Sequence, residues 1–177
     1  MEGQGQVPPT HPPTKQDPPP DQLYTGPNYQ GFVFTLPSSS NKPTHYLTIA
    51  TQSVDGSLIK TAFITGTWQG DGTPKAMNGR IGENGASINC GWVNDPNNPT
   101  VQNNLVGTLS SYSTTGKFGQ VQGQPSAFLE GTVTSFEFGT TTVRPGDGPG
   151  NVSGEGYGPA PPPPSAIGEG SLLGSAS

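Results

Sequence analysis

The chain has 177 residues, including 21 prolines and 27 glycines; only 11% are charged, and the formal net charge is −5. Its single cysteine, Cys90, excludes an intramolecular disulfide framework, and no apolar run approaches the ~20 residues of a membrane-spanning helix. The acidic excess lies in the flanks: residues 31–144 balance six cationic against six anionic side chains, without the basic stripe that phosphate recognition requires, so neither nucleic acid nor membrane is an expected partner.

Residues 1–30 are polar and hold eight of the prolines. Such a segment cannot bury enough apolar area to offset the entropy of ordering, so it is expected to be a disordered tail. Its first residues, Met1 to Gln6, have neither a basic region nor an apolar stretch, so no secretory signal is expected and the protein is expected to be soluble. The run from Pro8 to Pro13, like Pro161 to Pro164 near the other end, favours polyproline II. That conformation serves as a spacer, and SH3-like and WW-like domains recognise it.

From residue 31 onward, period-two alternation bounded by turn residues recurs, which points to strands rather than helices. The expected strands are Gly31 to Leu36, Thr44 to Thr51, Ser57 to Gln69, Lys75 to Ile81, Ala86 to Val93, Gln102 to Tyr112, Lys117 to Gln122 and Ala127 to Phe138. Asp55-Gly56, Asp71-Gly72, Asn84-Gly85, Asn94-Asp95-Pro96 and Thr115-Gly116 separate them. Asp-Gly and Asn-Gly pairs supply the positive φ angles of tight hairpins, so sequence neighbours should pair antiparallel.

An antiparallel meander leaves two bare edges unless it closes. The expected fold is therefore all-β: an up-and-down meander closed into an eight-stranded barrel over residues 31–144, with disordered tails at 1–30 and 145–177. Glycine precedes a strand-forming pair four times, at Gly66, Gly79, Gly107 and Gly131. These positions fit sharp coiling, where a side chain would crowd the neighbouring strand. The expected large core residues are Phe32, Phe34, Tyr46, Leu47, Ile49, Ile59, Phe63, Ile64, Trp68, Ile81, Ile88, Trp92, Leu105, Leu109, Leu129, Val133, Phe136 and Phe138. Residues 145–177 mix glycine, proline and serine; Asn151-Val152-Ser153 there fits a glycosylation sequon.

The inventory for catalysis is thin. Serines abound, but no G-x-S-x-G elbow accompanies His45, and no sequence neighbour would depress the Cys90 thiol. Glu130 and Glu137 are seven positions apart, which puts them on opposite faces of a regular strand, unable to flank one glycosidic bond. Two histidines and one cysteine give no metal-ligand spacing, and neither Asp-Gly turn continues into a calcium loop. No enzymatic activity, metal or cofactor is expected. What remains is a binding constellation: Trp68 and Trp92 as flat apolar surfaces, with Asn78, Asn89, Asn94, Asn103 and Asn104 as neutral hydrogen-bonding groups.

The order of Gly66-Thr67-Trp68, Gly79-Arg80-Ile81 and Gly91-Trp92-Val93, after Asp55-Gly56-Ser57-Leu58, resembles the avidin and streptavidin family. The resemblance covers about half of residues 44–110. It implies a tetrameric eight-stranded barrel holding a small ligand such as biotin, with Trp68 near the family's aromatic strand position and Trp92 lining the pocket. The chain departs from the family at Asn103-Asn104-Leu105-Val106-Gly107-Thr108, where the family has a Thr-Thr-Trp-Ser-Gly-like run. It also lacks a tryptophan in the last expected strand and a first-strand Gly-Thr-Trp-x-Asn. The resulting expectation is a non-catalytic barrel that binds a small molecule or a glycan through Trp68, Trp92, Asn78, Asn89, Asn103 and Asn104, as a homo-oligomer. The alternative is a structural or assembly protein whose barrel is a filled scaffold and whose tails make the contacts.

Overall fold

A computed structural model describes residues 22–37, 43–70, 72–115, 121–138, 143–145 and 149–161. The strands in chain order are β1 (Val33–Leu36), β2 (His45–Val54), β3 (Ala62–Gln69), β4 (Lys75–Gly82), β5 (Ser87–Val93), β6 (Val101–Ser113), β7 (Ser126–Phe138), β8 (Val143–Pro145) and β9 (Gly150–Tyr157). Strands β1 to β7 pair antiparallel in succession, and β9 lies between β7 and β1. That closes an eight-stranded ring with no free edge, as the meander pattern predicts. The short β8 pairs with the end of β7 beyond β9, from Phe136 to Phe138.

The recurring glycines explain how the ring coils so tightly. Gly66, Gly79, Gly107 and Gly131 share the strand face of buried Ile64, Ile81, Leu105 and Val133. A Cβ on any of them would land on the backbone of the next strand: on the Thr48 carbonyl for Gly66, and 2.7 Å from the Val106 carbonyl for Gly131. Gly107 and Gly131 stand directly opposite one another in the β6–β7 register. Close approach at these points is what bends the sheet around a side-chain-filled interior.

The eighth member of the ring is not the expected one. Residues 117–120 of the segment Lys117 to Gln122 lie outside the described residues, and Val121 and Gln122 are not in a strand. The ring is completed by Gly150–Tyr157, a stretch that composition assigns to the second tail, so the barrel does not end at residue 144. Its inward positions are Val152, Gly154 and Gly156; a Cβ at Gly154 would strike the Thr35 carbonyl, and one at Gly156 the Phe34 ring. The apolar bulk of this seam is supplied by β1, which leaves β9 looking like a linker.

The other boundary also moves. Residues 1–21 and 162–177 lie outside the described residues, whereas Tyr24 and Tyr29 of the first expected tail are buried. Tyr29 packs edge-on against Phe32 at 5.1 Å and Tyr112 at 5.8 Å, and its hydroxyl donates to the Gly85 carbonyl. The segment is tied down by Gln52, which accepts from Tyr29 N and donates to the Pro27 carbonyl, and by Asn84, whose Oδ1 accepts from Thr25 N. Residues 22–31 therefore close one end of the barrel. Lys60, with φ 51°, donates its backbone N–H to the Gln22 carbonyl there, and that left-handed residue stops β3 from extending back to Ser57.

The interior is continuous from Phe32 through Leu47, Ile49, Ile64, Ile81, Ile88, Leu105 and Leu129. Four expected core residues are instead exposed: Tyr46, Ile59, Phe136 and Phe138. Phe63 also faces outward, under the Arg80 guanidinium at 5.2 Å. Strand parity is the reason for Tyr46, Phe63, Phe136 and Phe138, since each is an odd number of positions from a buried residue of its own strand.

Candidate functional site

At the end opposite the tyrosines, the interior is occupied by an aromatic stack. Trp68 of β3 and Trp92 of β5 lie 4.3 Å apart at 15°, and the His45 ring of β2 stacks on Trp68 at 5.2 Å. The two tryptophans are only 5% and 7% exposed, so their faces are engaged with protein. Beside them Asn103 donates to Asn94 Oδ1 at 2.8 Å and accepts from the Ser135 hydroxyl. Its Nδ2 also lies 3.4 Å from the Trp92 carbonyl. The Asn103 amide is thus engaged through both its oxygen and its nitrogen from within the protein, which braces the stack as a plug.

Of the six residues singled out by sequence, the structure brings together only Trp68, Trp92 and Asn103 in the interior. Asn78, Asn89 and Asn104 alternate with the buried residues Met77, Ile88 and Leu105 and project from the outer face. There Asn78 and Asn104 both pair in register with Gly91, one on either side. Asn89 pairs with Arg80 further along the same strands. These amides are expected beside the tryptophans, but strand parity turns their side chains to the other face of the wall.

Asn78 and Asn104 border a hollow of about 920 Å³ across β2 to β7, which Trp92 and Asn103 also line; Asn89 lies outside it. Ala50, Ala76 and Gly91 leave it open, Thr65, Thr67, Asn78, Gln102 and Asn104 supply polar groups, and Phe136 and Phe138 border it on β7. A bulge between Ile49 and Thr51 leaves Ala50 out of the β2–β3 ladder, and such bulges bend a strand locally. Among the described residues, no charged side chain lines the hollow. Phe136 and Phe138 are 41% and 40% exposed, an unusual pair of aromatic surfaces for an outer sheet face. Sequence reasoning missed them as surface residues, although their parity is opposite to that of Leu129 and Val133.

Among the described residues, the acid, base and thiol side chains weighed from the sequence do not converge on either place. Glu130 and Glu137 lie on opposite faces of β7, and among the described residues no three His, Cys, Asp or Glu side chains come close enough to share a metal ion. Burial in the core pushes the Cys90 thiol up to about 12, far from the reactive thiolate range. The sequon residue Asn151 is exposed on β9, where its Oδ1 accepts from the Thr132 hydroxyl. No protein-family model matches the chain, and no curated protein matches it significantly.

Proposed function

We propose that this protein is a non-catalytic binding module in which the filled barrel is a rigid scaffold and the outer hollow receives an uncharged ligand, a small molecule or a glycan. The observation that carries the reading is the composition of the hollow: two exposed phenylalanines beside the outward amides Asn78, Gln102 and Asn104, with no charged side chain among the described residues. Flat apolar surfaces with a few fixed hydrogen-bonding groups are the general make-up of sites for neutral polar ligands. A biotin-like ligand in the interior, which the avidin resemblance implies, would have to part Trp68 from Trp92 and replace the Asn103 hydrogen bonds. The outer face requires no such rearrangement.

The test is a titration of uncharged metabolites, biotin and oligosaccharides into isotope-labelled protein, following amide resonances. Shifts confined to Gly91, Asn78, Asn104 and Phe136 support the outer site. Shifts centred on Trp68 and His45 would move the ligand to the interior and overturn this placement. A second reading is favoured by the exposure of Phe136 and Phe138: the hollow is a contact between copies of an assembly subunit. Concentration-dependent association in sedimentation, abolished by Phe136→Ser with Phe138→Ser, would establish it in place of ligand binding.

A further inference from the structure

Resting on that reading of the outer face, we infer that the hollow binds an extended, uncharged polysaccharide whose chain runs across the strands, along the register line Thr65–Asn78–Gly91–Asn104 that lines it. Each neighbour in this line is a direct cross-strand partner of the next, from β3 to β6. The line is therefore one row of side chains stepping at the inter-strand spacing of ~4.8 Å. Three of its four positions carry a hydroxyl or an amide, and none carries a charge.

Such a row is periodic in a direction in which protein ligands rarely are. A linear glycan of equatorially linked sugars presents hydroxyls at every residue, with a repeat close to the distance between adjacent strands. Successive sugars then meet successive strands. Amides and hydroxyls serve both the donor and the acceptor needs of a sugar hydroxyl, whereas carboxylates and ammonium groups would favour a charged polymer. At the β7 end of the hollow Phe136, paired with Gln102 one line further along, offers a ring to the apolar face of a pyranose, next to an amide for its edge. Gly91 leaves a gap in the middle of the row where a ring can approach the backbone. Thr51 and Thr65 already share a hydrogen bond of 2.5 Å at the other end, which fixes the hydroxyl of that edge.

The experiment is calorimetric titration of the full chain with uncharged oligosaccharides of one to six sugars, from cellulose, chitin, xylan, mannan and β-1,3-glucan. Sedimentation with the insoluble parent polymers accompanies it. Affinity for at least one series should rise about tenfold or more from monosaccharide to pentasaccharide. Asn78→Ala, Asn104→Ala and Phe136→Ala should each reduce it several-fold while leaving the thermal midpoint nearly unchanged, because all three side chains lie on the outer face. Ala76→Arg, which fills the hollow, should abolish it. Binding that is already complete with a monosaccharide would overturn the inference and leave the binding module standing. So would a small metabolite held at the same residues with no glycan bound. If nothing in either panel reaches the hollow, the inference and the proposed function fall together.

Discussion

The indole rings of Trp68 and Trp92 stack 4.3 Å apart at 15°, although the two residues sit on strands separated by β4. A contact of this kind reaches over an intervening strand on the inner face, so it requires the sheet to curl sharply about β4. Their stacking consumes the flat surfaces that would otherwise make these residues a ligand platform, and it turns the end of the barrel into a plug. Both indoles should emit at blue-shifted wavelength and resist quenching by acrylamide. Trp68→Ala should cost about 3–5 kcal/mol in urea unfolding, as for other large aromatic truncations in a core. A cost below about 1 kcal/mol would mean the stack is not part of the core.

Gly66→Ala is the sharpest test of the coiling argument. The added methyl would meet the Thr48 carbonyl, backbone that cannot rotate away. The expected loss is at or above the upper end of the ~1–3 kcal/mol typical of overpacking. On the outer face of the same strand, Thr67→Ala should change stability by less than about 0.5 kcal/mol. Equal effects in equilibrium unfolding would show that the close approach at Gly66 is absent.

Ending the chain after residue 144 should unfold it. The truncation deletes β9, and with it the partner of both β1 and β7, leaving two bare edges where the ring had none. Limited proteolysis of the full chain should accordingly protect residues up to Tyr157, and a stable fragment ending at 144 would refute the closure assigned to β9.

Alkali should destabilise the fold in steps that follow its buried acids. Burial raises the Cys90 thiol from 9.0 to about 12 and the Tyr24 phenol from 10.0 to about 12, and it raises Tyr29 as well. For Tyr24 the Gln52 side chain acts in the opposite sense, but burial is the larger cause. Each group keeps its proton longer in the folded than in the unfolded chain, so folding stability is fully present below pH 9 and falls as pH climbs toward 12. Cys90→Ala should move the onset of that decline from near 9 to near 10, where the tyrosines begin. A stability profile that stays flat to pH 11 would contradict the burial of all three.

Tyr29→Ala tests whether residues 22–31 belong to the barrel. The ring is fully buried against Phe32 and Tyr112, so its removal should cost about 3–5 kcal/mol and raise the binding of a hydrophobic dye at that end. Tyr29→Phe, which loses only the hydroxyl's bond to Gly85, should cost about 1 kcal/mol. Similar small losses for both would mean the segment lies loosely on the surface.

Much of this architecture was legible in the residues themselves. Alternation and Asp-Gly and Asn-Gly turns determined an antiparallel meander, because a period of two and positive-φ turns leave the backbone few other solutions. The four recurring glycines announced its tight coiling. Even the faces were readable: Asn104 is adjacent to Leu105, and Phe136 is three positions from Val133, so neither could share the interior with its apolar neighbour. Tertiary structure alone decided the rest. Only a closed ring brings Gly150–Tyr157 between β1 and β7, because the apolar bulk of that seam belongs to Phe34 and Leu36, residues more than a hundred positions earlier. Curvature of the sheet sets Trp68 against Trp92 across β4, and hairpin register aligns Asn78, Gly91 and Asn104 along a single outer row. Closure, curvature and register all depend on the sheet as a whole, which local pattern does not encode.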